Sequence, residues 1–214
     1  MIPRVVGVTP GDHGTGRELV SLAEGLARGG LTALVLREPQ LDERDYVTLA
    51  RRLAPIFPGG IALHAKHPSA LELAAVGDWG LHLPYGANLR DARSRVRGRL
   101  GVSCHSMIEV AAARGAGADY VFLAPVFHPV SKPDDRRRPI GLEELRRVAE
   151  AAGIPVVAQG GIDASNAKAC YEAGAAGIAV TGALFSPGMG PEEAEALARA
   201  ITGNRAIARS SRIR

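Results

Sequence analysis

The sequence is poor in cysteine and contains no long apolar run. Its two cysteines, Cys104 and Cys170, lie far apart in a chain of 214 residues. Such a pair offers neither a metal-binding spacing nor a disulfide framework, so we expect two free thiols. The apolar stretches are short and are interrupted by glycine, proline or charge, well below the ~20 residues that a membrane span needs. We therefore expect no transmembrane segment.

The start of the chain lacks the features of an export signal, and no linker divides the sequence. Residues 5–9 form a β-like apolar run, with no small-residue cleavage site behind it. This pattern predicts a cytoplasmic protein. Because no stretch rich in proline, glycine and serine interrupts the chain, we predict one domain over residues 1–203. A basic C-terminal tail covers residues 204–214, and the sequence leaves its order open.

Aromatic residues are scarce, whereas positive charge is in slight excess. Aromatics make up 4% of the chain, and the net charge is +4. Cationic residues crowd into residues 136–138 and into the tail. Since no nucleic-acid-binding motif accompanies them, we expect no nucleic-acid partner. A small phosphate-bearing ligand and a solvated tail explain the charge better. The sequence does not determine the oligomeric state, and a homo-oligomer is one of the possibilities.

What the sequence does contain is a regular alternation of apolar runs and amphipathic segments. Runs that are apolar almost throughout are typical of buried parallel strands, and their alternation with helical patterns indicates βα units. We predict a (β/α)8 TIM barrel, with a doubly wound open sheet as the structural alternative. The eight predicted strands are Val5–Thr9, Ala33–Arg37, Ile61–His64, Gly80–Leu83, Gly101–Cys104, Tyr120–Ala124, Pro155–Ala158 and Gly177–Val180.

The segments between the strands carry helix signals of their own. Leu19, Leu22 and Leu26 show the three- and four-residue apolar spacing of a helix that packs on a core. Ser106 precedes Glu109 by three positions, which predicts a capping box. We expect such helices to form the outer ring of the barrel.

Small residues follow the last two predicted strands. In a TIM barrel the reactive groups lie where strands end and βα loops begin. Gly160 and Gly161 follow the seventh strand, and Thr181 and Gly182 follow the eighth. Bare backbone amides at the start of a helix can hold a phosphate, although such glycines can also serve only to turn a tight corner. We predict that these four residues bind phosphate.

Several basic side chains are predicted at the same end of the barrel. His64, His82, His105 and His128 fall at or near the ends of separate strands, which brings several imidazoles into one mouth. Carboxylates do not accompany His64 or His82, so we expect no metal site. A further residue, Lys132, is either a phosphate ligand or a solvated charge.

Arg37 ends the second predicted strand, and Glu38 follows it. A guanidinium at this position has two interpretations. It either forms a buried ion pair with Glu38 or clamps an anionic ligand.

In order and spacing, several segments resemble the thiamine phosphate synthase/TenI family from about Val35 to Ala198. The segments that carry this resemblance are residues 36–38, 80–83, 101–105, 118–121, 125–127 with Lys132, 155–162 and 173–180. The resemblance implies a phosphorylated heterocycle as the ligand, with its phosphate at the last two strands. It also brings Ser103 into the set of substrate-binding residues, beside Arg37.

The family contains two activities, which the resemblance brings to this chain as alternatives. Synthases join an aminopyrimidine diphosphate to a thiazole phosphate with loss of pyrophosphate, whereas TenI-like tautomerases shift a proton to aromatise the thiazole phosphate. Synthases hold magnesium through an Asn-Asp pair after the third strand and an Asp after the fourth. At the corresponding positions this chain has His64-Ala65 and residues 84–87. Pro39 stands where synthases have a lysine that compensates the negative charge of pyrophosphate. Leu83-Pro84 is instead similar to TenI-like members.

These departures favour the tautomerase branch. We expect a thiazole tautomerase that needs no cofactor, with His128 as proton carrier and His105 or His82 as second choice. One alternative is a thiamine phosphate synthase, which would use Mg²⁺. The other is a non-catalytic protein that binds a phosphorylated ligand.

Overall fold

The computed structural model describes residues 2–11, 17–128 and 137–203. Eight parallel strands close into a barrel in chain order, so the predicted TIM barrel is confirmed. The strands β1–β8 are Val5–Val8, Ala33–Leu36, Ile61–His64, Gly80–Leu83, Leu100–Cys104, Tyr120–Leu123, Val156–Gln159 and Gly177–Val180.

The helices of the described chain alternate with the strands and form the outer layer. The helices α1–α8 are Arg17–Arg28, Glu43–Leu53, Ala70–Val76, Leu89–Arg95, Met107–Gly115, Gly141–Ala151, Ala167–Glu172 and Pro191–Thr202. A single 3-10 turn, Ala54–Ile56, follows α2. Within the described ranges, no helix is long and apolar enough to span a bilayer.

The hydrophobic core has two parts, which lie inside and outside the barrel wall. The outer part packs the helices against the strands and contains most of the buried leucines. The inner part fills the barrel with valines and alanines, as branched residues usually do in such interiors, together with two aromatic side chains. Its members are Val6, Val8, Ala33, Val35, Tyr120, Phe122, Val157 and Ala179.

A glycine makes room for the aromatic side chains inside the barrel. The strand register aligns Gly101 of β5 with His82 of β4 on one side and with Tyr120 of β6 on the other. A Cβ atom at Gly101 would lie 2.1 Å from the Tyr120 ring. The ring therefore crosses over β5, and its hydroxyl reaches to 3.3 Å from Nδ1 of His82.

The predicted start of α5 is confirmed with one difference. Ser106 is the N-cap, and its Oγ accepts a hydrogen bond from the backbone N–H of Glu109. A capping box would return the Glu109 carboxylate to the N–H of the cap itself. Here the carboxylate accepts instead from the backbone N–H of His105 at 2.6 Å. Glu109 thus fixes the backbone of a residue at the end of β5.

The first and last helices close the ring. A glycine in α1 lets α8 approach closely, because a Cβ at Gly25 would lie 2.1 Å from the carbonyl oxygen of Pro191. Pro191 stands in the first turn of α8, where its missing N–H has no intrahelical acceptor to lose. An ion pair of 2.8 Å between Arg28 and Glu195 joins the two helices at the surface.

Candidate active site

A cavity of about 610 Å³ opens at the C-terminal ends of the strands. We call it the mouth cavity. All eight strand ends contribute to it, which matches the placement of active sites in TIM barrels. Its polar and aromatic lining consists of Thr9, Arg37, His64, Lys66, His82, Tyr85, Ser103, His105, Phe122, Arg137, Gln159, Asp163 and Thr181, together with Gly160, Gly161 and Gly182.

His82 forms part of the floor of the mouth cavity. Its side chain is buried, and its two ring nitrogens lie 3.3 Å from the Tyr120 hydroxyl and 3.0 Å from Ser103 Oγ. The ring centroid is 4.1 Å from that of Phe122. Burial lowers the pKa of His82 well below its ordinary value, and the neighbouring His64 lowers it further. His82 is therefore a neutral imidazole at physiological pH.

His105 borders the cavity beside Arg137. Nδ1 lies 2.6 Å from the carbonyl oxygen of Ala124, which can only accept. The Nη1 atom of Arg137 lies 3.0 Å from Nε2 and 3.2 Å from Nδ1. The His105 ring therefore contacts both the end of β6 and the guanidinium at the cavity.

Arg37 extends from β2 towards the mouth cavity, and Glu38 turns away from it. Backbone N–H of Arg37 donates to Thr9 Oγ1 at 2.8 Å, and its guanidinium donates to the carbonyl of Pro10. The buried Glu38 accepts from the N–H of Gly11 at 3.2 Å and from the Gln40 amide at 2.7 Å. Glu38 therefore braces the loops after β1 and β2, and Arg37 faces the ligand space.

The turn after β3 holds His64 and Lys66. Nδ1 of His64 accepts the backbone N–H of Lys66 at 3.1 Å, and Nδ1 of His67 accepts that of Ser69 at 3.2 Å. The buried His67 ring stacks on Tyr46 with centroids 3.8 Å apart. The two histidines thus fix the backbone of this turn and leave the Lys66 side chain exposed at the cavity.

The glycines after β7, which the sequence predicted to bind phosphate, also have a packing role. Gly160 and Gly161 both have positive φ, 94° and 63°. A Cβ at Gly161 would lie 2.5 Å from the His128 carbonyl oxygen, and the carbonyl of Gly160 accepts the N–H of Phe127 at 3.0 Å. Nδ2 of Asn166 donates to the Gly161 carbonyl at 2.8 Å. The turn is therefore held rigidly at the edge of the cavity.

The turn after β8 begins a short helical stretch. The amides of Leu184 and Phe185 donate to the carbonyl of Thr181 at 2.9 and 3.0 Å. The preceding amides of Gly182 and Ala183 occupy the first turn, where backbone N–H groups lack an intrahelical acceptor. Thr181 and Gly182 line the mouth cavity directly beside the β7 glycines.

The predicted site residues do not all meet in this cavity. Arg37, His82, Ser103 and His105 line it, as do the four small residues after β7 and β8. His128 is exposed and is not part of the lining. Lys132 lies outside the residues that the structure describes.

The lining residues that were not predicted as site residues include Phe122, Lys66 and Arg137. Phe122 lies in the middle of an apolar strand, where the sequence does not distinguish the two faces. Lys66 and Arg137 lie in polar stretches that look like solvated surface. Among the aromatic residues available to stack on a heterocycle, Tyr85 reaches the mouth cavity, whereas Trp79 lines a separate cavity at the opposite end of the barrel.

Comparison with known proteins identifies the family. The profile of the family described as "Thiamine monophosphate synthase" (TMP-TENI) matches residues 5–184. A thiamine-phosphate synthase of Geobacillus kaustophilus is 39% identical over 187 residues, covering 83% of this chain and 82% of that protein. A putative thiamine-phosphate synthase of Geobacter sulfurreducens is 35% identical over 196 residues, covering 89% and 90%.

A solved structure agrees with the fold. Thiamine phosphate pyrophosphorylase from Pyrococcus furiosus superposes with a TM-score of 0.80 over 96% of this chain and 95% of its own. At 24% identity this likeness supports the barrel architecture alone.

The expectation of a thiazole tautomerase is wrong. The relatives carry the name of synthases, which favours the alternative that the sequence left open. The expectation rested on missing magnesium ligands and a missing lysine, but charge compensation has other sources. Arg37, Lys66 and Arg137 bring positive charge to the mouth cavity without them. With a profile match over most of its length and a relative that is 39% identical, this chain belongs to the thiamine monophosphate synthase family.

Proposed function

We propose that this protein is a thiamine phosphate synthase, which joins an aminopyrimidine diphosphate to a thiazole phosphate and releases pyrophosphate. One observation carries the proposal: the mouth cavity has anion-binding groups on two opposite sides. Glycine turns follow β7 and β8, whereas Arg37 and Lys66 follow β2 and β3. In a closed barrel of eight strands in chain order, β3 lies across from β7. Two anionic substrates therefore fit into one cavity without sharing a site.

The thiazole phosphate fits the side of the cavity at β7 and β8. The amides of Gly161 and Gly182 lie in tight turns at the ends of β7 and β8, where backbone N–H groups can donate to an anion. Both turns are rigid because Asn166 and Thr181 accept or donate hydrogen bonds within them. A rigid cradle binds phosphate with little loss of conformational entropy.

The pyrimidine ring fits the floor of the cavity. The rings of Phe122 and the neutral His82 pack together with centroids 4.1 Å apart, and Tyr85, which contacts the His105 ring edge-on, also lines the cavity. Aromatic faces of this kind bind a flat heterocycle by stacking. The hydroxyl of Ser103, 3.0 Å from His82, supplies a polar contact beside that surface.

The reaction requires compensation of the negative charge on the departing pyrophosphate. A departing pyrophosphate gathers negative charge as its bond to the pyrimidine's carbon breaks, so cations that are already in place lower the barrier. Arg37 is held by Thr9 and Pro10 with its guanidinium at the cavity. We assign to Arg37 the stabilisation of the leaving group.

A magnesium ion, which the resemblance implies for synthases, does not fit the described lining. Magnesium takes oxygen ligands, usually from carboxylates and water. The only carboxylate among the described lining residues is Asp163, which accepts the N–H and hydroxyl of Ser165 at 2.8 and 2.6 Å. The described residues contain no group of three metal-binding side chains. Charge compensation is therefore assigned to side chains of the protein, with no step through a metal.

The direct test is product formation by the purified protein. We expect thiamine phosphate and pyrophosphate in equal amounts from the two substrates. R37Q removes the charge at the leaving group, and we expect it to lower kcat/KM by ~100-fold, the scale on which a stabilising group of this kind acts. R147Q is the matched control, because Arg147 lies on the outer face of α6 in an exposed pair with Glu144.

Three results would count against the proposal. A wild type that yields no thiamine phosphate would contradict the synthase activity. An R37Q variant that is as active as R147Q would contradict the role assigned to Arg37. Substrate binding without product would instead support the hypothesis of a non-catalytic binding protein.

A further inference from the structure

We propose that Lys66 and Arg137 bind the diphosphate of the pyrimidine substrate through their own charge, in the place of a carboxylate-held metal ion. This inference rests on the proposed synthase activity and adds a ligand for each end of the leaving group. It follows from a disagreement between the metal that the family resemblance implies and the side chains that line the mouth cavity.

Lys66 directly follows the two positions where the synthase pattern places metal ligands. It lies two positions after the end of β3, next to His64-Ala65, which stand where the resemblance places the Asn-Asp pair of synthases. Its backbone is anchored because its N–H donates to Nδ1 of His64 at 3.1 Å. The next turn is anchored as well, by Ser69 N–H on Nδ1 of His67. The ammonium group therefore extends from a fixed backbone into the cavity that it lines.

Arg137 reaches the same cavity from the segment that precedes α6. Its Nη1 lies 3.0 Å from Nε2 of His105. His105 cannot turn away, because Nδ1 is bonded to Ala124 and its backbone N–H to Glu109, both at 2.6 Å. A guanidinium carries five N–H donors in a planar fork, whose geometry matches that of phosphate oxygens.

The charges on the described lining favour an anion over a metal ion. Arg37, Lys66 and Arg137 supply three cationic side chains, against the single carboxylate of Asp163. A hydrogen bond from Ser165 lowers the pKa of Asp163, so this carboxylate is ionised and already in use. A divalent cation would meet repulsion from the three side chains, whereas a diphosphate would be attracted by each of them.

The barrel topology keeps Lys66 apart from the glycine turns. Lys66 follows β3, which lies across the barrel from β7 with Gly160 and Gly161. Arg137 belongs to the connection between β6 and α6, beside His105 at the end of β5. The diphosphate therefore spans the rim from β3 towards β5, and the thiazole phosphate remains at β7 and β8.

Titration of the full-length protein with pyrophosphate in excess EDTA tests the inference. We expect binding without any divalent cation, and we expect K66A and R137A each to weaken the affinity by about tenfold, as for loss of one charge-assisted contact. K168A and R147A are the matched controls, since both cations lie on outer helices in exposed pairs with Glu172 and Glu144. The controls should bind as the wild type does, and the melting temperature of each variant verifies its fold.

Two outcomes would overturn the inference. Binding that disappears in EDTA and returns with Mg²⁺ would show that a metal holds the diphosphate. Equal affinities of K66A, R137A and the two controls would show that these side chains do not bind it. Turnover is measured separately: a wild type that binds pyrophosphate in EDTA yet forms no product contradicts the proposed function and leaves the cation assignment supported.

Discussion

At the scale of single residues, the floor of the mouth cavity depends on an imidazole that stays neutral. His82 is buried, and its ring nitrogens contact Tyr120 and Ser103. Protonation would place a charge in the barrel interior beside His64, which lowers the pKa of His82 after the larger effect of burial. The sequence predicted that His82 faces the mouth, but not that the barrel would hold it uncharged.

This burial predicts a pH dependence of stability. The unfolded chain gains a proton on His82 below its ordinary pKa of about 6.5, whereas the folded chain does not. The stabilisation is therefore complete above pH 6.5 and is lost as the pH falls. Between pH 7 and 5 we expect the free energy of unfolding to fall by about 2 kcal/mol more in the wild type than in H82Q.

Urea unfolding at both pH values measures this difference. The variant loses ring packing at every pH, so the comparison concerns the change with pH and not the stability at one pH. An equal decrease in the two proteins would show that His82 titrates in the folded state.

At the scale of elements, the strand register determines which side chains reach the floor. Gly101 lies between His82 and Tyr120 in adjacent strands, and the Tyr120 ring occupies the space above it. Residues that line the mouth come from the strand ends, whereas Phe122 reaches it from inside β6. Side chains from three neighbouring strands, β4, β5 and β6, therefore form the floor, and no single sequence motif contains them all.

Substitution of this glycine tests the packing of the floor. In G101A the new methyl group would meet the Tyr120 ring at 2.1 Å, and we expect a loss of about 1–3 kcal/mol, as for other overpacked cores. G115A is the control, because nothing lies within 4 Å of its Cβ at the end of α5. There we expect no loss, or a gain of up to ~1 kcal/mol from helix propensity. Equal stabilities of G101A and G115A in urea would contradict this packing.

At the scale of the whole molecule, the apolar runs predicted the barrel, while the chemistry of its mouth was only partly predictable. Eight buried runs in alternation with helical patterns leave few other folds. The strand ends directed attention to Arg37 and the glycine turns, and the family resemblance directed it to Ser103. His128 lies three positions after Pro125, where the N–H of Phe127 already bonds to Gly160, and its side chain is exposed. The distance of a residue from a strand end along the chain therefore does not predict whether its side chain points into the cavity.

The error about the activity has a physical cause as well. The missing aspartates show that the usual magnesium ligands are absent. The sequence does not show which cationic side chains the fold brings to the mouth cavity. Lys66 follows a histidine in a polar turn, and Arg137 belongs to a run of three arginines, so each looks like surface charge until the barrel closes. Only the closed structure brings them to one cavity.

The most direct test of this account is a crystal structure with thiamine phosphate and pyrophosphate bound together. We expect the thiamine phosphate's phosphate at the amides of Gly161 and Gly182, and the pyrophosphate across the mouth between Lys66 and Arg137. Both anions on the same side of the cavity, or the thiamine phosphate's phosphate at Lys66, would contradict the arrangement of two opposed anion sites.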